Sequence, residues 1–306
     1  MREDVWALAL AMPGDHIPYS LSYLLLDSDG GVHVVDPGWD TDANWTALLA
    51  AVEQLGYQPA DIRSAVVTHL HPDHFGMADR VRTATGARVI LHRVEQGVLE
   101  KGWVREPTRE QFDEWAVPAE RRAEMSAVRA LSEGYAEFHA NEVVDDGERL
   151  DIPGFDVIAM HTPGHTSGHL SLRDDARRLL YTGDHLLPSI FSGLGLGGPT
   201  VTNPLADYLD ALDRVAAYPD YEVLPGHGYR FLGVADRAAV VAGHHLNRAR
   251  QVAAALAEGG SPSVWEIASR LTWTAGWDRL SGFYLASALQ QSAMHREYVL
   301  AGGRTD

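Results

Sequence analysis

Apolar positions in the first third of the chain switch repeatedly between two spacings. Val5 to Met12, "YSLSYLLLDS" from Tyr19 and "GVHVVDPG" from Gly31 are short, dense apolar runs bounded by turn residues, the pattern of strands. Between Asp42 and Leu55, by contrast, Trp45, Leu48, Leu49 and Val52 recur at helical spacing. "IRSAVVTHL" from Ile62 predicts another strand, residues 74 to 85 a helix, and "ARVILHR" from Ala87 a strand again. This alternation predicts a mixed α/β sandwich.

The rhythm breaks at residue 94. Up to residue 140 no strand pattern is visible, and Trp103, Phe112, Trp115, Tyr135 and Phe138 stand among charged residues, which predicts an inserted helical segment of the kind that forms a lid. Strands resume with "FDVIAM", "HLSLRD" and "RLLYTGD", a helix is expected over about 204 to 217, and "YEVLPGH" from Tyr221 reads as a final strand. Residues 234 to 306 predict three helices, about 236 to 258, 263 to 271 and 279 to 301, with "EGGSP" turning between the first two. The expected organisation is one domain over residues 1–233, carrying the insert at 94–140, and a helical extension over 234–306.

Composition changes this picture in three ways. No apolar run approaches the roughly 20 residues that span a bilayer, and in the start "MREDVWALALAMPGD" two acids precede the apolar run where a secretory leader has a basic start, so a cytoplasmic protein with no membrane partner is expected. There is no cysteine, so a metal ion would be held by imidazole and carboxylate alone. The formal charge is −17; residues 234–306 hold seven Arg against six Asp and Glu, a balance of +1 that leaves −18 for residues 1–233. Such a surface disfavours nucleic acid and other polyanions and leaves a small molecule as the expected partner.

Candidate chemistry concentrates in "THLHPDHFG", residues 68 to 76. His71 precedes Pro72, which favours an extended backbone, so His69 and His71, two apart, point the same way toward one ion. Beyond Pro72 the chain turns, and Asp73 and His74 at a helix start reach a second point nearby. Three later residues occupy the same kind of strand end: His165 in "HTPGHTSGH", Asp184 in "LLYTGDH" and His227 in "YEVLPGHG". The glycine-rich "SGLGLGGPT" lacks the Lys-Ser or Lys-Thr ending of a phosphate loop, and no GxSxG elbow supports a serine nucleophile.

With "HLHPDH", "TPGHT", "TGDH" and "PGHG" in this order, and Asp36 in "VVDPG", the chain resembles the metallo-β-lactamase superfamily over about residues 5–230. The resemblance implies an αββα four-layer sandwich with metals at one edge. It implies His69, His71 and His165 on a first ion, Asp73, His74 and His227 on a second, Asp184 bridging them, and Asp36 as a buried supporting acid. Asp73 and Asp184 count as the catalytic residues of the set. Zinc suits these ligands first, and manganese or iron tolerate them.

Two such ions lower the pKa of a shared water, so that hydroxide near neutral pH can attack a carbonyl. Hydrolysis of a thioester, ester, lactone or lactam is therefore the expected activity. The alternatives are a phosphodiesterase or ribonuclease of the same superfamily and a mononuclear-iron dioxygenase of the persulfide type.

Pocket walls are expected from the insert, through Trp103, Phe112 and Trp115, and from the 187–200 loop, through Phe191 and Leu194, with Gly193, Gly195, Gly197 and Gly198 letting that loop move. His161, His169 and His185 are expected beside the metals rather than on them; His244, His245 and His295 on helices; and Trp265, Trp273 and Trp277 in a core. The extension is expected to cap the site or to help build a homodimer.

Overall fold

The structure is a computed structural model that describes residues 2–14, 17–101, 108–126, 138–198, 200–273 and 275–306. The first half of the chain supplies strands β1 (Val5–Ala11), β2 (Tyr19–Leu26), β3 (Val32–Val35), β4 (Ile62–Val66), β5 (Arg88–His92) and β6 (Glu142–Val144). They form one sheet in that order, antiparallel from β1 to β3 and parallel from β3 to β6. Strands β7 (Val157–His161), β8 (Leu170–Asp174), β9 (Leu179–Gly183) and β10 (Glu222–Pro225) form a second sheet in the order β10-β9-β8-β7. Helices α1 (Asp42–Gln54), α2 (Pro72–Phe75) and α3 (Ala78–Thr85) follow β3 and β4, and α4 (Arg93–Lys101), α5 (Arg109–Glu114) and α6 (Ala119–Ser126) lie in the insert. Helix α7 (Pro204–Ala216) precedes β10, and α8 (Val234–Ala257), α9 (Val264–Arg270) and α10 (Gly282–Leu300) end the chain.

Strand side chains alternate between faces, and here both faces are covered. Tyr23, Leu25, Val35, Val66 and Ile90 point inward and meet Ala159, Leu172, Leu179 and Tyr181 of the other sheet. Their neighbours Leu24, Val34, Ala65, Val89 and Leu91 point outward and pack with Leu48 and Val52 of α1 and Val81 of α3. On the far side Leu180 and Val223 pack with Leu209 and Leu212 of α7 and Val241 of α8. Two sheets thus pack face to face between outer helices, the expected αββα arrangement. Each fully buried Leu or Val contributes roughly 1.5–3 kcal/mol, and this apolar interior holds the strand ends rigidly where polar residues emerge.

Three differences from expectation have local causes. The three-residue β6 is too short to register as a pattern. The expected helix at 74–85 breaks between α2 and α3, where the Gly76–Met77 backbone docks on the loop after β3 through a Met77 N–H bond to Gly38 O at 2.9 Å. A Cβ on Gly76 would stand 2.3 Å from Pro72 O and 2.9 Å from Gly38 O, so only glycine permits this approach. In the insert, Phe112, Trp115 and Met125 pack with Val264, Leu285 and Leu289, so α5 and α6 share a hydrophobic cluster with the C-terminal helices. Trp265, Trp273 and Trp277 pack against that cluster. No helix among the described residues is long and apolar enough to cross a membrane.

Candidate metal centre

Beyond the last paired residue of β4 the chain bends at Thr68, Leu70 and His71, and His71, with φ −64° and ψ 145°, is the N-cap of α2. Pro72 then occupies the first helical turn, where its missing N–H costs nothing. The turn after β7 delivers His165, β9 runs into Asp184, and the turn after β10 delivers His227. These three segments and α2 meet at one edge of the sandwich, and all seven side chains are buried.

They fall into two groups. In the first, His71 Nδ1 lies 3.0 Å from both His69 Nε2 and His165 Nε2, and Asp184 Oδ2 lies 3.5 Å from His165 Nε2. In the second, Asp73 Oδ2 lies 3.1 Å from His227 Nε2 and 3.4 Å from His74 Nε2. Asp184 Oδ1 lies 3.4 Å from each of those same two nitrogens, so its two oxygens face different groups. Ligands at 2.0–2.1 Å on a tetrahedral ion stand about 3.3 Å apart, close to these separations. His74 Nε2 and Asp184 Oδ1 are buried without a hydrogen-bond partner, which is costly unless a cation satisfies them. The donor set therefore fits two divalent ions.

The remaining ring nitrogens fix the orientation of each imidazole. His71 Nε2 donates to Leu196 O at 3.0 Å, His165 Nδ1 to Gly193 O at 2.6 Å, and His227 Nδ1 to Tyr19 O at 3.0 Å. A carbonyl only accepts, so each of these rings carries its proton outward and its lone pair inward. His74 Nδ1 donates to Asp36 Oδ2 at 2.8 Å, and Asp36 also accepts from the Thr68 backbone N–H and hydroxyl at 2.7 and 2.8 Å. With its hydroxyl proton so engaged, Thr68 accepts from His69 Nδ1 at 3.0 Å. Asp36 does this from a left-handed backbone, φ 56°, a conformation a non-glycine residue adopts only when its surroundings enforce it.

Burial opposes charge throughout the second group, but the acids and imidazoles outweigh it. His74 and His227 hold Asp184 and Asp73 well below the usual carboxylate range. In return Asp184 and Asp73 push His227 up to about 10, and with Asp36 they raise His74. His69 is driven down by burial and by its neighbouring imidazoles. The second group thus demands positive charge, which protons or a metal ion can supply, and acid favours the protons.

The other expected residues are distributed differently. His169 accepts from the Asp184 N–H at 3.1 Å and contacts Thr162 Oγ1, so it orients Asp184 from outside either group. His161 stacks on His92, and His185 packs on Tyr208. Of the expected pocket walls among the described residues, only Phe191 lines the cavity over the centre. Trp103 lies outside the described residues. Phe112 and Trp115 are turned into the helical cluster above, because the amphipathic insert faces the C-terminal helices. Leu194 is fully buried in the core beside α7, and Leu196 takes the cavity position instead.

The glycine-rich loop, expected to move, is tied down. Besides its bonds to His71 and His165, it accepts from Arg237 at Leu187 O and Ile190 O and from Gln290 at Gly195 O. A Cβ on Gly197 would stand 2.9 Å from Thr166 Cα, so that glycine serves close approach. The extension therefore packs near the site, as a cap.

Glu95 was not visible as a functional residue. Fully buried on α4, it accepts from Thr166 Oγ1 and, at 3.0 Å, from Gly168 N, and so holds the turn that carries His165. Burial pushes its carboxyl up to about 7, only partly offset by those bonds. An acid in the first turn of a helix is ordinary in sequence, and only its burial under a distant turn distinguishes it.

Comparison with known proteins accords with this geometry. Residues 18–227 match the profile of the metallo-beta-lactamase superfamily. The chain is 24% identical over 266 residues to a beta-lactamase-like protein 2 homolog of Caenorhabditis elegans, across 87% of this chain and 75% of that one. It is 29% identical over 244 residues to a hydroxyacylglutathione hydrolase of Methylobacillus flagellatus, across 78% and 75%. It superposes on a metallo-beta-lactamase family protein of Thermus thermophilus with a TM-score of 0.75 at 27% identity, covering 98% of this chain and 94% of that one.

Proposed function

We propose that this chain, which belongs to the metallo-beta-lactamase superfamily, hydrolyses a small-molecule carbonyl compound, a thioester, ester, lactone or lactam, with two divalent metal ions, zinc by preference. The observation that carries the reading is the pair of ligand groups joined through the two oxygens of Asp184. Divalent ions in such a site supply Lewis-acid polarisation of a substrate oxygen and a water acidified toward neutral pH. The protein's own residues provide the rest. Asp184 sets the spacing of the two groups, the outward hydrogen bonds fix the imidazole planes, and the apolar walls of the cavity exclude bulk water. No hydroxyl nucleophile is required; Ser192 Oγ, beside the cavity, donates to Asp184 O. The name of the hydroxyacylglutathione hydrolase relative denotes a thioester substrate and supports this reaction class.

The phosphodiesterase reading is weaker on charge, since a net −17 repels polyanions. Metal quantification coupled to a screen of thioesters, esters, lactones, lactams, phosphodiesters and RNA tests the reading. Two metal equivalents and turnover of a carbonyl class are expected, with His71→Ala losing on the order of 1,000-fold in kcat/KM, the several kcal/mol a metal contributes. Faster cleavage of RNA than of any carbonyl compound would put the phosphodiesterase in its place. One iron per chain with oxygen uptake would put the dioxygenase there.

A further inference from the structure

We infer that the cavity over the centre selects an uncharged, apolar acyl group, and that the C-terminal helices build the wall that selects it. The inference rests on the hydrolase reading and names the part of the substrate that enters. The cavity encloses about 300 Å3, with His71, Asp73, His165, Asp184 and His227 among its lining residues. The rest of the lining is largely apolar: Met12, Ile17 and Trp39 come from loops of the first sheet, Ile190 and Phe191 from the loop after β9, and Phe283 from the first turn of α10. No Lys or Arg lines it among the described residues. Positive charge in the cavity is confined to the centre itself, so a carboxylate or phosphate carried on the acyl chain against the apolar walls would lose its hydration without return.

Exposure points the same way. Ile190, Phe191 and Phe283 are 42%, 41% and 38% exposed, large apolar side chains gathered at one opening, where burial against a ligand would be favourable. Two of the three depend on the extension. Phe283 belongs to it, and Phe191 is stacked face to face on His244 of α8 at 3.9 Å and 6°. Arg237 of the same helix lies 5.1 Å from the Phe191 ring, but its guanidinium donates to Leu187 O and Ile190 O and does not line the cavity. A volume at the lower end of the roughly 300–1,000 Å3 of ligand pockets leaves room for an apolar acyl chain as long as hexanoyl. In the reaction, water oxygen bonds to the acyl carbon, the bond to the leaving group breaks, and the leaving group departs with a proton.

The test uses the metal-loaded protein and thioesters of one leaving group, N-acetylcysteamine, carrying butanoyl, hexanoyl, 2-hydroxypropanoyl or succinyl. The apolar acyl groups are expected to exceed the hydroxylated and anionic ones at least about 10-fold in kcat/KM, the scale on which an apolar pocket discriminates. Phe191→Ala and Phe283→Ala should each raise KM for hexanoyl by about 10-fold while both metals remain bound. Calorimetry supplies a readout free of turnover: hexanamide should bind about 10-fold more tightly than acetamide, and less so in either variant. Preference for succinyl or 2-hydroxypropanoyl overturns the inference and leaves the hydrolase reading intact. Preferential hexanamide binding without hydrolysis of any thioester, ester, lactone or lactam supports the inference and sinks the hydrolase reading. Equal binding of the two amides, or variants indistinguishable from the parent, overturns the inference.

Discussion

Two regions of this molecule bury clusters of histidines, and only one of them sets acids against the rings. At the strand-end centre, His74 and His227 face Asp73 and Asp184, which outweigh burial and favour a positive charge between them. In the cap, His245 and His295 are equally buried, 1% and 0% exposed, and burial lowers them as it does the others, but no acid offsets it. Neighbouring imidazoles and Arg248 add to the fall, opposed at His295 by its bond to Gln291 O. His245 has no hydrogen-bond partner on either ring nitrogen, and no acid stands among the causes acting on it. The contrast shows that a buried imidazole favours positive charge only where facing acids outweigh burial, as at His74 and His227.

The strongest way to break the contrast is to remove the acid both groups share. Asp184→Ala should cost on the order of 1,000-fold in kcat/KM and reduce the bound metal below two equivalents, read by elemental analysis. Retention of two tightly held ions would refute the bridging role. Next in size, Asp36→Asn keeps a residue that tolerates the left-handed backbone but removes the charge behind His74. The affinity of the more weakly held ion should fall by about 10–100-fold in chelator competition. An unchanged affinity would mean that Asp36 serves the fold alone.

The smallest effect belongs to the cap and concerns acid stability. Burial lowers His295 to about 4, below its ordinary 6.5. Above pH 6.5 the ring is neutral whether the chain is folded or not. As the pH falls from 6.5 toward 4, the unfolded chain takes up a proton that the folded one refuses, so stability drops by up to about 1.4 kcal/mol per pH unit for this site. His295→Gln should therefore flatten the fall of the denaturation midpoint across that window, whatever it does to stability at pH 7. A slope identical to that of the parent would show that this ring does not control it.

How much of this was legible in the sequence depended on the range of the interactions involved. The helices of the extension, expected at 236–258, 263–271 and 279–301, occur as α8, α9 and α10, because their apolar spacing and the glycine turn are local signals. His69, His71, Asp73, His74, His165, Asp184 and His227 stood out because each follows a strand at a turn. Glu95 did not, since its burial comes from Thr166 and Gly168, more than 70 residues away. Nor did the sequence distinguish Leu194 from Leu196, or show which partner the aromatic face of α5 would choose. Every glycine in the 192–200 stretch allows motion in a sequence, whereas the observed loop is held by carbonyl bonds from α8, α10 and the metal-centre histidines.

By itself, then, the sequence determined the strands and helices of the layers and the donor residues, since two-residue and helical periodicities dictate which side chains are buried and where strands must stop. Tertiary structure alone decided which ring nitrogen faces inward, which oxygen of Asp184 serves which group, and which apolar residues form the cavity. Those choices rest on hydrogen bonds and packing between distant segments, such as those of His227 and Tyr19, 208 residues apart, and no local pattern encodes a contact whose partner is set only when the two sheets close on each other.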